Sequence, residues 1–454
     1  MNRTIELRDG FLLLCLGVLV FLVVGLGVRL AQRNTPMDIR MAHACARCLI
    51  EHCDPYSAND VVRMYQEAGG PPPTTPGDVR TLEFESMYVY LPTIFVLTAP
   101  MAALPFNAFC VVWVTLVSVS FLLALFLVWD IGKKHAPLLT GALLGFYLAN
   151  CGSTISAANA GSLAVSLCII SIWCFFSRRL ELAGVLCLAA SLAIKPHDSG
   201  LMWLCLIALG GVTRRRALQS LLVYACLSLP ILLWINHAVP HWSQELHANL
   251  TTLSALGQVS DPGPSTVFSR GALMITNLQS AVSLIRDNPS FYNPITYAVC
   301  LVLFGAFVFL ALRYRSSAEE HWLAVASIAA LTMLPIYHRL YDSKLVLLTV
   351  PACAILSQKG GRTAKLSLLM SASALIVTSE LPWAFYIVLA AKLHSTAGAL
   401  LPLLIASVAV PIPLTLLIVT VFYLWVFARD VRATPVNESG IRSSRVDDGS
   451  VSVA

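Results

Sequence analysis

The chain has 454 residues, of which 57% are hydrophobic and only 12% charged, and its mean hydropathy is +0.76. Soluble domains carry about 25% charged residues, so this composition excludes a water-soluble globular protein. The net charge of +6 resides in short basic clusters between apolar runs, which excludes a nucleic-acid-binding surface.

Apolar runs long enough to cross a bilayer recur from residue 11 to residue 428. They predict an all-α polytopic membrane protein of about 11–13 transmembrane helices. The first run, "FLLLCLGVLVFLVVGLGV" after "MNRTIELR", is longer than the roughly 7–15 residues of a signal core and has no A-x-A site behind it. It is expected to be a retained span with a cytoplasmic N-terminus. The loop Ala31–Met87 follows. Its "MDIRMAHACARCLIEHC" is patterned as an amphipathic helix lying at the membrane interface and ended by "DPY", and "GGPPPTTPG" can only be loop. Cys45, Cys48 and Cys53 fall here. Unpaired thiols are the simplest reading, with a disulfide in an exported loop or a metal site shared with His43 and His52 left open. Most other cysteines lie inside apolar runs and act as small hydrophobes.

Between Tyr88 and Asp130 stand two apolar runs. The first, "YVYLPTIFVLTAPMAALP", is short and carries three prolines, so it should enter the membrane partly or lie in its interface. The polar turn "NCGSTISAANAGS" comes next, then "SLAIKPHDSGLMW", which sets Lys195, Pro196, His197 and Asp198 between two apolar segments. A charge at a bilayer centre costs roughly 2.5–3.5 kcal/mol. Pro196 therefore reads as a helix stop, with Lys195 at a membrane boundary. The loop His237–Asn293 and the stretch "YHRLYDSK" (Tyr337–Lys344) complete the polar parts. The basic clusters Arg178–Arg179, Arg214–Arg216, Arg313 with Arg315, and Lys359 with Arg362 and Lys365 should be cytoplasmic. The five polar segments then share the opposite face. Residues 1–428 form one membrane domain, and residues 429–454, polar and mixed in charge, read as a disordered cytoplasmic tail.

An aspartate soon after the first span, "DPY", the "YxxLP"-type entry, the "NAGS" turn, "AGVLCLAASLAIKP" and "MLPIYHRLYDSKLVLLTVPACAIL" occur in that order. Together, over roughly residues 11–360, they resemble glycosyltransferase family 87 of the membrane-embedded C-type superfamily, which includes mannosyltransferases. The chain departs from the family at Gly161–Ser162, where "GQ" is frequent. The resemblance implies a multi-pass protein of a bacterial inner or plasma membrane, with its site on the extracytoplasmic face. It implies transfer of a hexose, mannose by analogy, from a polyprenyl-phosphate donor to a lipid or glycan acceptor. By position it makes Asp38 the general base.

Such a transfer needs a carboxylate to take the acceptor's proton and cations for the leaving phosphate. Lys195, His338, Arg339 and Lys344 are the candidates for the phosphate. Asp54, Tyr56, Tyr90, Asn159, His197, Asn277, Gln279, Tyr341 and Asp342 are the candidates for the remaining substrate contacts. Each has an ordinary alternative. Asp38 could cap a helix, Lys195 could snorkel, Asp54 could hold a turn, and the "HRLYD" charges could neutralise one another. No acidic cluster at metal-ligand spacing is present, so neither a metal ion nor a cofactor is expected. The competing function is a lipid or lipid-linked-sugar flippase, weakened by the lack of an internal repeat.

Overall fold

The structure, a computed structural model, describes residues 3–32, 35–70, 82–264, 275–314, 317–393 and 407–433. The tail beyond Ala433 and the "PPPTTPG" stretch lie outside the described residues. Among those described, the chain is helical, with one isolated antiparallel bridge between Ile275 and Arg339.

Helix α1 (Arg3–Ala31) shows why these sequences sit in lipid. Gly10, Leu14, Gly17, Phe21 and Gly25 form its buried stripe, while Leu12, Leu16, Leu19 and Val23 on the other faces are exposed. Lipid-facing leucines and a seam of small residues are the pattern of helices that associate by close backbone packing. The seam meets "GALLG" of α6 (Pro137–Ala149). A Cβ on Gly17 would stand 2.4 Å from the Gly145 carbonyl oxygen, and one on Gly145 2.4 Å from that of Leu13.

The first loop builds a cap from α2 (Met37–Ile50) and α3 (Ala58–Glu67). Helix α2 turns its apolar face to protein: nine of its fourteen residues are buried, in a cluster with Tyr56, Met64, Phe95, Phe109 and Trp113. An amphipathic face seeks any apolar partner, and here that partner is protein. The expectation of three unpaired cysteines is overturned. Cys48 and Cys53 form a disulfide with Cα atoms 4.9 Å apart, and Cys45 is free and buried. The chain reverses after α2 through His52, whose φ of 61° is left-handed, and Cys53 N–H donates to the Cys48 carbonyl at 2.9 Å.

The proline-rich run of the sequence is a short helix, α4 (Phe95–Ala102), and the single long span of that region is α5 (Phe106–Gly132). Then come α7 (Ala160–Ser177), α8 (Glu181–Ile194), α9 (Pro196–Leu209), α10 (Gly211–Ala238) and α11 (Trp242–Leu253). The chain continues with α12 (Pro289–Arg313), α13 (Ala318–Thr332), α14 (Thr349–Lys359), α15 (Gly361–Val377), α16 (Leu381–Leu393) and α17 (Pro411–Ala433). Six helices among the described residues are long and apolar enough to cross a membrane, or seven if α15 and α16, bent by 56°, make one span. The chain is thus a multi-pass membrane protein. Helix α17 runs five residues past 428.

The two ends of the bundle differ in chemistry. At one end Arg3 bonds the Lys134 carbonyl, His135 meets Gln358 at 2.6 Å, and Lys359 pairs with Glu319 at 3.2 Å and lies 3.8 Å from Asp430. Arg216 pairs with Glu181 at 2.5 Å at the same ends of their helices. The cap covers the other end, where α5 and α7 begin and α8 and α10 finish.

Candidate functional site

Beneath the cap, three chain breaks bring polar and charged side chains together. Helix α8 stops at Lys195, whose backbone is extended (φ −154°), and α9 restarts at Pro196 as its first residue. Proline suits a first helical position because its missing N–H is not needed there. Asp198 falls in the first turn of α9, where a carboxylate is favoured by the helix dipole. Ala158, held left-handed at φ 46° with its carbonyl bonded to Trp113 Nε1 at 2.8 Å, delivers Asn159 as the cap of α7. Asn159 Oδ1 accepts from Gly161 N–H at 2.7 Å and from the Tyr90 hydroxyl at 3.4 Å.

The segment after α13 supplies His338, Arg339, Tyr341 and Asp342. It is pinned from behind by Thr276 N–H donating to the His338 carbonyl at 3.0 Å and by Leu278 N–H donating to that of Leu334 at 2.9 Å. Asn277 and Gln279 bond each other at 2.7 Å, and Gln279 bonds Asn293 at 2.7 Å. Both are buried and spend these polar groups on bracing the segment.

At the centre, Lys195 Nζ lies 2.6 Å from Asp342 Oδ1 and 3.3 Å from Asp198 Oδ1, with all three side chains buried. Removing one partner of such a pair strands a buried charge, at a cost of about 3–5 kcal/mol. Asp342 Oδ2 also accepts from Arg339 N–H at 2.9 Å. Glycine is required at 161 for this approach, since a Cβ there would stand 2.0 Å from Asp342 Oδ1. Lys195 faces the Tyr341 ring at 5.5 Å. Lys344 is buried, with its ammonium 3.1 Å from Ser162 Oγ and 5.4 Å from the centre of the Phe121 ring.

Asp38 does not cap α2. Pro36 holds that position without a side-chain bond, and Asp38 sits in the first turn. It is half-buried. Burial raises its carboxyl above the ordinary carboxylate value; Asn159, Arg339 and Lys195 act against the rise and Asp342 adds to it. Arg339, also half-buried, forms no ion pair among the described residues; its Nη2 donates to the Val259 carbonyl at 3.2 Å and its Nε to the Tyr337 hydroxyl.

Asp54 is a turn residue: its Oδ1 accepts from Tyr56 N–H at 2.8 Å, and burial pushes its carboxyl up. Tyr56 donates to the Tyr90 carbonyl at 2.8 Å and packs between Tyr88 and Trp242, an aromatic wall leading to Tyr90. Asp38, Tyr90, Asn159, Lys195, His197, His338, Arg339, Tyr341, Asp342 and Lys344 thus converge, while Asp54, Tyr56, Asn277 and Gln279 support from outside. Asp198 is the central residue missing from the candidates drawn from the sequence. Its signal was the i, i+3 spacing from Lys195 across a helix start.

His197, Asp198 and His338 present donor atoms within 4.8 Å of one another, a grouping that could hold a metal ion. Comparisons with protein-family models, curated proteins and solved structures give no match to this chain.

Proposed function

We propose that the chain is an inverting glycosyltransferase that moves a hexose, mannose by analogy, from a polyprenyl-phosphate donor to a lipid or glycan acceptor on the extracytoplasmic face. The observation that carries this reading is the placement of Asp38 in the charge environment of an Arg339 that has no ion-pair partner among the described residues. Asp38 is a half-buried carboxylate with a raised pKa, poised to take a proton. Arg339 is a half-buried guanidinium left without a carboxylate partner within ion-pair distance, in the charge environment of Asp38. A planar guanidinium suits a phosphate leaving group. Lys195 has a different part in this reading. Asp342 and Asp198 neutralise it, so it holds the α8–α9 break in place beside the site and leaves phosphate contact to Arg339. Tyr90 and Tyr341 offer rings beside the two.

The extracytoplasmic placement is supported by the Cys48–Cys53 disulfide in the cap, because disulfides persist in oxidising compartments. The basic clusters at the opposite end agree with a cytoplasmic side. On this reading both termini are cytoplasmic, and the shorter helices α6, α8, α9, α13 and α14, added to the seven long spans, make twelve crossings.

The test is transfer of radiolabelled mannose from synthetic polyprenyl-phosphate-mannose in proteoliposomes. Asp38→Asn should lower turnover by about 10²–10⁴-fold while donor binding persists. Arg339→Gln should chiefly weaken donor binding. Wild-type protein that transfers no sugar from this donor, or an Asp38→Asn variant that transfers normally, would overturn the assignment.

A further inference from the structure

The contacts of His338 pose a hydrogen-bonding problem that protein atoms alone leave open. Its ring is fully buried. Nδ1 lies 3.0 Å from the Ile336 carbonyl oxygen, which can only accept, so Nδ1 carries the proton. In the neutral ring Nε2 is then a bare lone pair. Yet Nε2 points at Asp198 Oδ1, 3.3 Å away, and finds no aligned hydrogen bond. Neither oxygen of Asp198, itself fully buried, has an aligned hydrogen bond either. Lys195 Nζ, 3.3 Å from Asp198 Oδ1, is shared with Asp342, which leaves the space between Nε2 and Asp198 open to a further positive partner. His197 brings a third donor to the same point, with Nε2 at 3.6 Å from Asp198 Oδ1 and its ring centre 5.2 Å from that of His338.

We propose that His197, Asp198 and His338 form a binding site for a divalent transition metal ion of the zinc type. Two of the three spacings fit. Ligand atoms around a tetrahedral ion at about 2.0–2.1 Å are about 3.3–3.4 Å apart, the two His–Asp separations are 3.3 and 3.6 Å, and all three donors lie within 4.8 Å of one another. The Ile336 carbonyl plays the outer partner that fixes a metal-binding histidine's tautomer. The local charge also fits: Lys195 alone faces two carboxylates, Asp342 at 2.6 Å and Asp198 at 3.3 Å, so the cluster keeps one negative charge for the ion. Two imidazoles and one carboxylate select zinc or its neighbours over magnesium and calcium, which prefer all-oxygen sites. Three protein donors leave a coordination position open on the side of His197, whose side chain is 35% exposed. The sequence, read along the chain, gave no metal expectation because His338 is far from the other two donors. The site does not depend on the sugar-transfer reading.

The test uses full-length protein with its affinity tag removed, stripped with a chelator and titrated with Zn²⁺, then separately with Co²⁺ followed by visible absorption. Wild type should take up one more equivalent than His197→Ala, with a cobalt ligand-field band that His197→Ala and Asp198→Asn lose. His135→Ala, at the opposite end of the bundle, should match wild type. His197 is partly exposed, so its truncation leaves the fold intact, which circular dichroism and size exclusion would check. Equal zinc uptake by wild type and His197→Ala would overturn the site. Uptake of Mg²⁺ in place of Zn²⁺ would overturn the donor-set argument.

Discussion

The carboxyl of Asp38 is held above its ordinary value by surrounding protein even though Arg339 and Lys195 pull the other way. A carboxyl whose folded pKa exceeds its unfolded one favours the fold in its neutral form. That contribution is present below the unfolded value and is lost as pH rises through the folded value. At neutral pH the ionised group therefore costs stability, and Asp38→Asn should melt at the same temperature as wild type or higher while losing transfer. In wild type, turnover should fall on acidification with a midpoint above the ordinary carboxylate range, because the base must be ionised. A thermal melt at pH 7 and a pH–rate profile check the two. At this scale the sequence was informative about which residues stand near chain breaks, since Lys195–Pro196 and "HRLYD" interrupt apolar runs. It was uninformative about pairing. Nothing along the chain tells that Lys195 turns to Asp342 rather than to solvent, or that Asn277 and Gln279 satisfy each other.

Among elements, the contact of α1 with α6 is the most demanding, because backbone touches backbone at Gly17 and Gly145. Gly145→Leu has no flexible neighbour to displace. Overpacking of this kind costs typically about 1–3 kcal/mol, so the variant should melt several degrees lower in detergent, whereas Gly27→Leu, with open space around it, should not. Helix α2 marks the limit of periodicity as a guide. Its apolar face was plain in the sequence, but the same face serves a lipid surface or a protein core, and only the tyrosines and tryptophans that gather from distant segments decide for the core.

For the whole molecule, the polarity of the bundle was legible, because basic clusters between apolar runs mark one end whatever the packing. The cap disulfide was not, since three cysteines within nine residues admit several states. It makes the proposed orientation testable. In intact cells, an impermeant maleimide should label Cys48 and Cys53 only after external reduction. Loss of the bridge, which closes a short loop, should lower stability by about 2 kcal/mol. Labelling without reductant would show the bridge absent, and no labelling after reduction would place the cap on the inner side.

The seam between α1 and α6 also sets an order of assembly. Helix α1 leaves the ribosome first, but the glycines that receive it are synthesised after the cap and the whole of α5. Its close-packed face must wait in the bilayer or against the insertion machinery until α6 arrives. The cap, strung between α1 and α4, is then drawn over the site as the two helices lock, so early translation products hold every residue of α2 without holding its place.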